Sequence, residues 1–365
     1  MIFLSLLALP LITAALGFFL LHGITWKEFL LQVAAQMAVA GISVGILYYS
    51  NTADTEVWNG RVKEKTKDRV SCSHSYSCPP CWQRKRCSGT GKNRTCYYYT
   101  ECSTCYEHSN DWSWRVRNTI GETWTISRVD RQGAQTPPRW AAVEVGEPTA
   151  ELHSYENFIK AAPGTLFRRT GAAEKYAKLL PAYPRGVYDY WHINRLVLVN
   201  GAKVGDPKVW NDGLEVLNGT LGHDKQVNIV VVVAKDLPMP FFHALQQAWI
   251  GGKKNDAILV VSVDGAGKPR WARVMCWAKK SIFNIELRDA VMALPTLDAG
   301  RTLALLEKYV RERYERRPMH DFEYLKSSVT PTPFQMSLAM FIGLLVAGVL
   351  LWVFHRHDVF GDEGR

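Results

Sequence analysis

Seven of the eight cysteines lie between Cys72 and Cys105, in a stretch that reads CSHSYSCPPC and later CYYYTECSTC. Each half follows C-x5-C-x2-C. Two sulfurs at C-x2-C spacing can reach one tetrahedral ion, because a tight turn carries both to one side. Cys78 and Cys81 form one such pair and Cys102 and Cys105 another, with twenty residues between them. That is the arrangement of two knuckles closing on a single zinc ion. His74 and His108 place an imidazole beside the thiols of each half. With Cys72, Cys87 and Cys96 they could build a second site. In an oxidising compartment the same sulfurs would pair instead. Seven is an awkward number for pairing, and Cys276 sits apart in the apolar run RWARVMCW as a small core residue. The expected cofactor is therefore zinc, with Cys78, Cys81, Cys102, Cys105, His74 and His108 as ligands and disulfides as the alternative. No C-x2-C here opens a helix after a strand, which excludes the thioredoxin arrangement.

Arg84, Lys85, Arg86, Lys92 and Arg94 lie close to Tyr97, Tyr98 and Tyr99. Basic and aromatic side chains together can bind nucleic acid through phosphate contact and stacking. Thiolates also need positive neighbours simply for charge balance, and no helix-turn-helix or RNP signature is present. Nucleic-acid binding is thus the second alternative and not the main expectation.

What the cysteines do depends on which side of a membrane they occupy. Met1 to Leu21, Phe29 to Tyr49 and Phe334 to Phe354 are free of charge. A helix of about 20 apolar residues spans roughly 30 Å of hydrocarbon, so three crossings are expected. The first segment has no Lys or Arg at its start and no small-x-small cleavage site, so it reads as a retained helix and not a signal peptide. Gly41-x3-Gly45 and Gly343-x3-Ala347 are small-x3-small pairs of the kind that let helices approach closely. Two early crossings leave residues 50–333 on one side. Flanking that region are Arg61, Lys63, Lys65, Lys67, Arg69, Arg316, Arg317 and Lys326, against Lys27, Arg356 and Arg365 opposite. The positive-inside rule then places the large region in the cytoplasm. A net charge of +10 over 365 residues suits acidic partners, anionic lipid included.

WSWRVRN, ETWTISRV and RWAAVEV alternate like short strands. Tyr155 to Ala162 and Ala172 to Leu180 are expected helices. Asp206 caps a helix running to Leu221, with Pro207 in its first turn and Val209, Leu214 and Leu217 on one face. QVNIVVVVA is a strand buried on both faces, PMPFFHALQQAWIGG a helix ended by glycine, and NDAILVVSVDG with PRWARVMCW a strand pair. Leu303 to Arg317 is an amphipathic charged helix. The expected fold is an α/β (α+β) domain with a small mixed sheet, preceded by a Cys-rich, β-rich module and bracketed by three transmembrane helices. Its parts are 1–49, a two-helix transmembrane hairpin; 50–118, the Cys-rich module; 119–189, a connector; 190–326, the α/β domain; and 334–354, the last span.

The order of apolar strand, helix ending in WIGG (Trp249 to Gly252) and KKNDAILVV (Lys253 to Val261) resembles the TPM domain of thylakoid repair proteins and related membrane-anchored bacterial proteins. The likeness covers residues 190–315, with Ala257 where a glycine is usual. It implies a C-terminal membrane anchor and a domain outside the cytoplasm. Some members have been assigned phosphatase activity, which would draw metal-binding carboxylates from Asp212, Asp256 and Asp264. No G-x-S-x-G, P-loop or HExxH motif accompanies them. Residues 56–167, through DTEVWNG, CSHSYSC, TCYEHSNDWSW, RVDRQG and ENFIKAAPGTLF, resemble uncharacterised membrane proteins of tailed bacteriophages. That implies a phage-encoded protein in the host inner membrane. The expected function is a non-catalytic, membrane-tethered interaction protein with a membrane or envelope protein as partner; a metal-dependent phosphatase is the first alternative.

Overall fold

The computed structural model describes residues 2–21, 24–88, 94–162, 172–357 and 359. Met1, Lys92, Arg365 and the last residues of ENFIKAAPGTLF, which figure in the expectations above, lie outside them. Among the described residues, three helices are long and apolar enough to cross a membrane: α1 (Ile2–Leu20), α2 (Trp26–Thr52) and a C-terminal helix (Pro333–Arg356). Leu21 follows α1 directly, Phe29 and Tyr49 lie within α2, and Phe334 and Phe354 lie within the C-terminal helix. Helix α2 begins before its apolar run because Thr25 and Glu28 form a capping box that satisfies otherwise orphaned amides. Gln335, near the start of the last apolar segment, plays the same part with Thr332.

The three helices pack on one another through small residues. A Cβ on Gly343 would lie 3.1 Å from Pro10 Cγ, and Ala347 is fully buried. Gln32 Nε2 donates to the Ala347 carbonyl at 3.2 Å, a polar tie between helices in an apolar setting. Gly41 and Gly45, by contrast, face open space, so only the Gly343 pair makes a close approach.

Strand β1 (Ala53–Val70) continues directly from α2. Between β1 and its partner β4 the chain makes a long hairpin of β2 (Ser75–Ser88) and β3 (Thr95–Tyr106). It then runs through β4 (Asp111–Asn118), β5 (Thr123–Ile126), a single turn α3 (Pro138–Ala142), β6 (Pro148–Glu156) and a short α4 (Phe158–Ala161). The first half of β1 pairs with β6 and the second half with β4, both antiparallel, in a sheet ordered β5-β4-β1-β6. The boundary expected at 118/119 therefore falls between two adjacent strands of one sheet. RWAAVEV is not a strand: Pro138 at the first helical position favours the turn of α3 instead. Tyr155 belongs to β6, so the helix expected from it starts only at Phe158.

The second half follows as α5 (Ala172–Lys175), β7 (Val187–Tyr188), β8 (His192–Ile193), β9 (Leu196–Val199), α6 (Pro207–Lys225), β10 (Asn228–Lys235), α7 (Pro240–Ala248), β11 (Asp256–Val263), β12 (Pro269–Cys276), α8 (Ile282–Met292) and α9 (Ala299–Arg313). Its sheet is ordered β12-β11-β10-β9, with β9, β10 and β11 parallel and β12 antiparallel: the small mixed sheet expected. Val231, Val233, Leu259 and Val261 pack with residues of α6, α8 and α9, while Val230, Val232, Ile258 and Val260 pack with residues of α7. Burial on both faces explains why these strands read as unbroken apolar runs. Asp206 does cap α6, accepting from the Lys208 amide at 2.9 Å. Its buried stripe is Trp210, Leu214, Leu217 and Leu221; Val209 is exposed, one position off that stripe.

The two sheets meet where α6 crosses β1. A Cβ on Gly222 would lie 2.6 Å from the Asn59 carbonyl oxygen, so only glycine permits this crossing.

Candidate functional site

Among the described residues, strands β2 and β3 pair only with each other, and most of their residues are exposed. A lone two-stranded hairpin is marginal in water because it buries too little apolar surface. Here cross-links supply what a core would. Cys78 bonds Cys105, Cys81 bonds Cys102 and Cys87 bonds Cys96, at sequence separations of 27, 21 and 9. The three bonds are concentric rungs of one ladder. This corrects the expected zinc ribbon: the sulfurs of Cys78, Cys81, Cys102 and Cys105 are spent on each other and offer no thiolate to an ion. Cys72 and Cys276 are the free cysteines, Cys276 packed at the edge of the main core as expected.

Alternation divides the ladder into two faces. Cys81, Gln83, Lys85 and Cys87 share one face with Cys96, Tyr98, Thr100 and Cys102. Trp82, Arg84 and Arg86 share the other with Tyr97, Tyr99 and Glu101. Trp82, Tyr97 and Tyr99 are 41–52% exposed, and Tyr97 and Tyr99 lie 6.2 Å apart between ring centres. Arg84 Nε bonds Glu101 at 2.7 Å. The hairpin thus presents a rigid aromatic and basic face to solvent.

At its base, four side chains converge that the sequence reading joined only in part. Cys72 follows β1, His74 precedes β2, His108 follows β3, and Asp111 opens β4. The His74 carbonyl accepts from the Glu107 amide at 3.0 Å, which brings the two feet of the hairpin together. Cys72 Sγ lies 4.0 Å from His74 Nδ1 and 3.7 Å from His108 Nδ1. Asp111 Oδ2 lies 3.5 Å from His74 Nδ1, and Oδ1 lies 3.3 Å from His108 Nδ1. Cys72 and Asp111 are buried; the two imidazoles are about one quarter exposed. Burial opposes ionisation of Asp111, but the Ser73 amide, the Arg128 guanidinium and the Cys72 thiol outweigh it. Together they hold the carboxyl well below the usual carboxylate range. His74 and His108 were expected as ligands; Asp111 was not, and its only sequence signal is its place three residues after His108.

A second set of buried polar groups lies between the two sheets. Arg195 donates to Asn59 Oδ1 at 2.6 Å, to Asn228 Oδ1 at 2.9 Å and to the Ile193 carbonyl at 2.6 Å. Asn228 Nδ2 in turn donates to Asp256 Oδ1 at 2.8 Å, and Tyr183 Oη donates to the same carboxylate at 2.9 Å. Asn228 and Asp256 are the first residues of β10 and β11, opposite the carboxyl ends where open α/β sheets hold ligands. The three carboxylates of the phosphatase alternative do not converge. Asp212 pairs with Lys208 on the exposed side of α6, and Asp264 accepts turn amides from Ala266 and Lys268. Asp256 begins the strand that Asp264 follows, about 26 Å away along an extended chain. His192 is held between Glu215 and Glu147, whose carboxylates raise its pKa, and His153 stacks on Trp58.

Burial pushes Asp256 up to about 6, against the bonds from the Lys253 amide, Asn228 and Tyr183 that favour its ionised form. Its folded pKa thus exceeds its unfolded value. The charge therefore costs stability above pH 6, and that cost is relieved as pH falls toward the unfolded value of about 4. Asp256→Asn lacks this relief. The stability difference between the full-length protein and the variant should change by about 2 kcal/mol between neutral pH and pH 4. Denaturant titrations in detergent at several pH values measure it; a constant difference would refute the assignment.

No family model, curated protein or solved structure matches the chain.

Proposed function

We propose that this is an integral membrane protein that holds residues 53–332 on the oxidising side of the membrane. There it uses the disulfide ladder as a binding arm for an envelope or membrane protein. The observation that carries the reading is the hairpin itself: three cross-links hold an element whose strands, among the described residues, pair only with each other and display Trp82, Tyr97, Tyr99, Arg84 and Arg86. Aromatic and arginine side chains on a rigid support are what protein interfaces concentrate at their energetic centres. Their positive sign favours an acidic partner face.

The sidedness revises the expectation from flanking charge. Six paired thiols belong to an oxidising compartment, and long domains are exported largely regardless of flanking Lys and Arg. The TPM-like order of residues 190–315 supports the same side. The second half then serves as a non-catalytic platform, because its buried carboxylate is engaged in holding the sheets together. The phage-protein resemblance of residues 56–167 makes a host envelope protein the natural partner.

A photo-crosslinking residue at Tyr97, with a control at Thr100 on the opposite face, tests this in intact cells. A discrete protein adduct is expected at position 97, weakened by Arg84→Glu with Arg86→Glu and absent at position 100. Equal labelling from both faces, or adducts only to lipid or nucleic acid, would end the reading.

A further inference from the structure

We propose that Cys72, His74, His108 and Asp111 form a tetrahedral zinc site that clamps the base of the hairpin to the first sheet. This inference is independent of the partner suggested for the hairpin's face. Zinc bonded to sulfur at about 2.3 Å and to nitrogen or oxygen at about 2.0–2.1 Å sets the edges of a ligand tetrahedron. They come to about 3.6 Å from sulfur to nitrogen and about 3.3 Å from nitrogen to oxygen. The observed edges are 4.0 and 3.7 Å from Cys72 Sγ to the two Nδ1 atoms and 3.3 Å from His108 Nδ1 to Asp111 Oδ1, while His74 Nδ1 lies 3.5 Å from the other carboxylate oxygen, Oδ2. One donor atom from each residue lies within 4.8 Å of all the others. The four side chains already have nearly the spacing that one ion would impose.

Two further observations point to an ion. Asp111 is fully buried, yet its Oδ1 accepts no hydrogen bond. A buried carboxylate oxygen without a hydrogen bond is costly unless a cation faces it, and the group beside this one, His108 Nδ1 at 3.3 Å, is itself a ligand of the proposed site. Its Oδ2, by contrast, is held by the Ser73 amide at 3.2 Å, the Ser73 hydroxyl at 3.3 Å and Arg128 Nη1 at 2.9 Å. Those bonds orient the carboxylate from behind and leave Oδ1 for coordination, as outer-shell partners of metal ligands do. The second observation is Cys72 itself. It is the one cysteine of the cluster left out of the ladder, and coordination would protect its thiolate where the other six are oxidised.

Thiolate, two imidazoles and one carboxylate in tetrahedral array select zinc among the common divalent ions. Thiolate and carboxylate also neutralise its charge. All four positions are filled by protein, which defines a structural site and not a catalytic one. Ligands drawn from the ends of β1 and β4 and from both feet of the hairpin would fix the angle at which the ladder leaves the sheet.

The test uses the full-length protein, purified in detergent from zinc-supplied cells. Elemental analysis should find about one zinc ion per chain, falling to background in Cys72→Ser and in His108→Asn. Disulfide mapping of each variant controls for misfolding: the three bonds should persist while the metal is lost. Cobalt substitution should give a thiolate-to-metal charge-transfer band that Cys72→Ser abolishes. Zinc should also slow alkylation of Cys72 at least tenfold. Zinc at background in the parent protein, or zinc retained by a variant with its disulfides intact, would overturn the proposal. So would a Cys72 thiol alkylated equally fast with and without zinc, which would mark a free nucleophile instead.

Discussion

Arg195→Met is expected to destabilise the full-length protein by about 3–5 kcal/mol. Arg195 is 1% exposed and lies where the two sheets meet. Burial lowers its pKa to about 10, which leaves it charged at neutrality. Its guanidinium serves Asn59 from β1, Asn228 from β10 and the Ile193 carbonyl together. Methionine replaces the aliphatic stem of the side chain and supplies none of these donors. Each acceptor left unpaired costs about 1–3 kcal/mol, and the Asp256 carboxylate beyond Asn228 loses its buried counter-charge. Arg195→Lys restores the charge without the planar fork, so it should recover only part of the loss. Denaturant titration in detergent measures both variants, and a cost below about 1 kcal/mol for the methionine variant would contradict this account. Combining Arg195→Met with Asp256→Asn should cost less than the two single changes added, because the second removes the charge that the first strands.

That junction could not be read from the sequence, and the reason is physical. Asn59 sits in a strand of mixed burial, and its partners Asn218, Val227 and Asn228 lie 159–169 residues away. Only the bare Gly222 face of α6 brings them together. Local period predicts what neighbours along the chain do, and so β10, β11 and α6 were legible. β6 was not, because PTAELHSYE has an irregular burial pattern with no apolar period. The membrane helices were legible because composition alone decides them, although their ends were set by caps that an apolar count overlooks.

The cysteines carried two patterns at once. As a translation, C-x5-C-x2-C repeats, which suggests two equivalent knuckles on an ion. As a reflection, the intervals from Cys78 to Cys105 run three, six, nine, six, three. An antiparallel hairpin is a reflection, and intervals of six return a side chain to the same face of a strand. The second pattern was present in the sequence and matches the ladder. It also isolates Cys72, which has no cysteine in the mirrored position.

Reduction is expected to dissolve the hairpin and leave the body standing. The ladder buries almost no apolar surface, and ordering each backbone residue costs about 1–2 kcal/mol. Strand pairing alone does not recover that cost, whereas closing a loop of this size removes about 3 kcal/mol of unfolded-state freedom. Arg84, Lys85 and Arg86 are exposed and lie between the rungs at Cys81 and Cys87. Trypsin should therefore cut there at least tenfold faster after reduction. Breaking only the middle rung, with Cys81→Ala and Cys102→Ala, should have a smaller effect, because the rungs on either side still confine the same segment. The unfolding midpoint of the two sheets should move little in either case, since among the described residues the hairpin joins them at its feet. Protection that survived full reduction would mean the ladder is held by packing that its exposure rules out. A body that unfolded together with it would make the two a single cooperative unit.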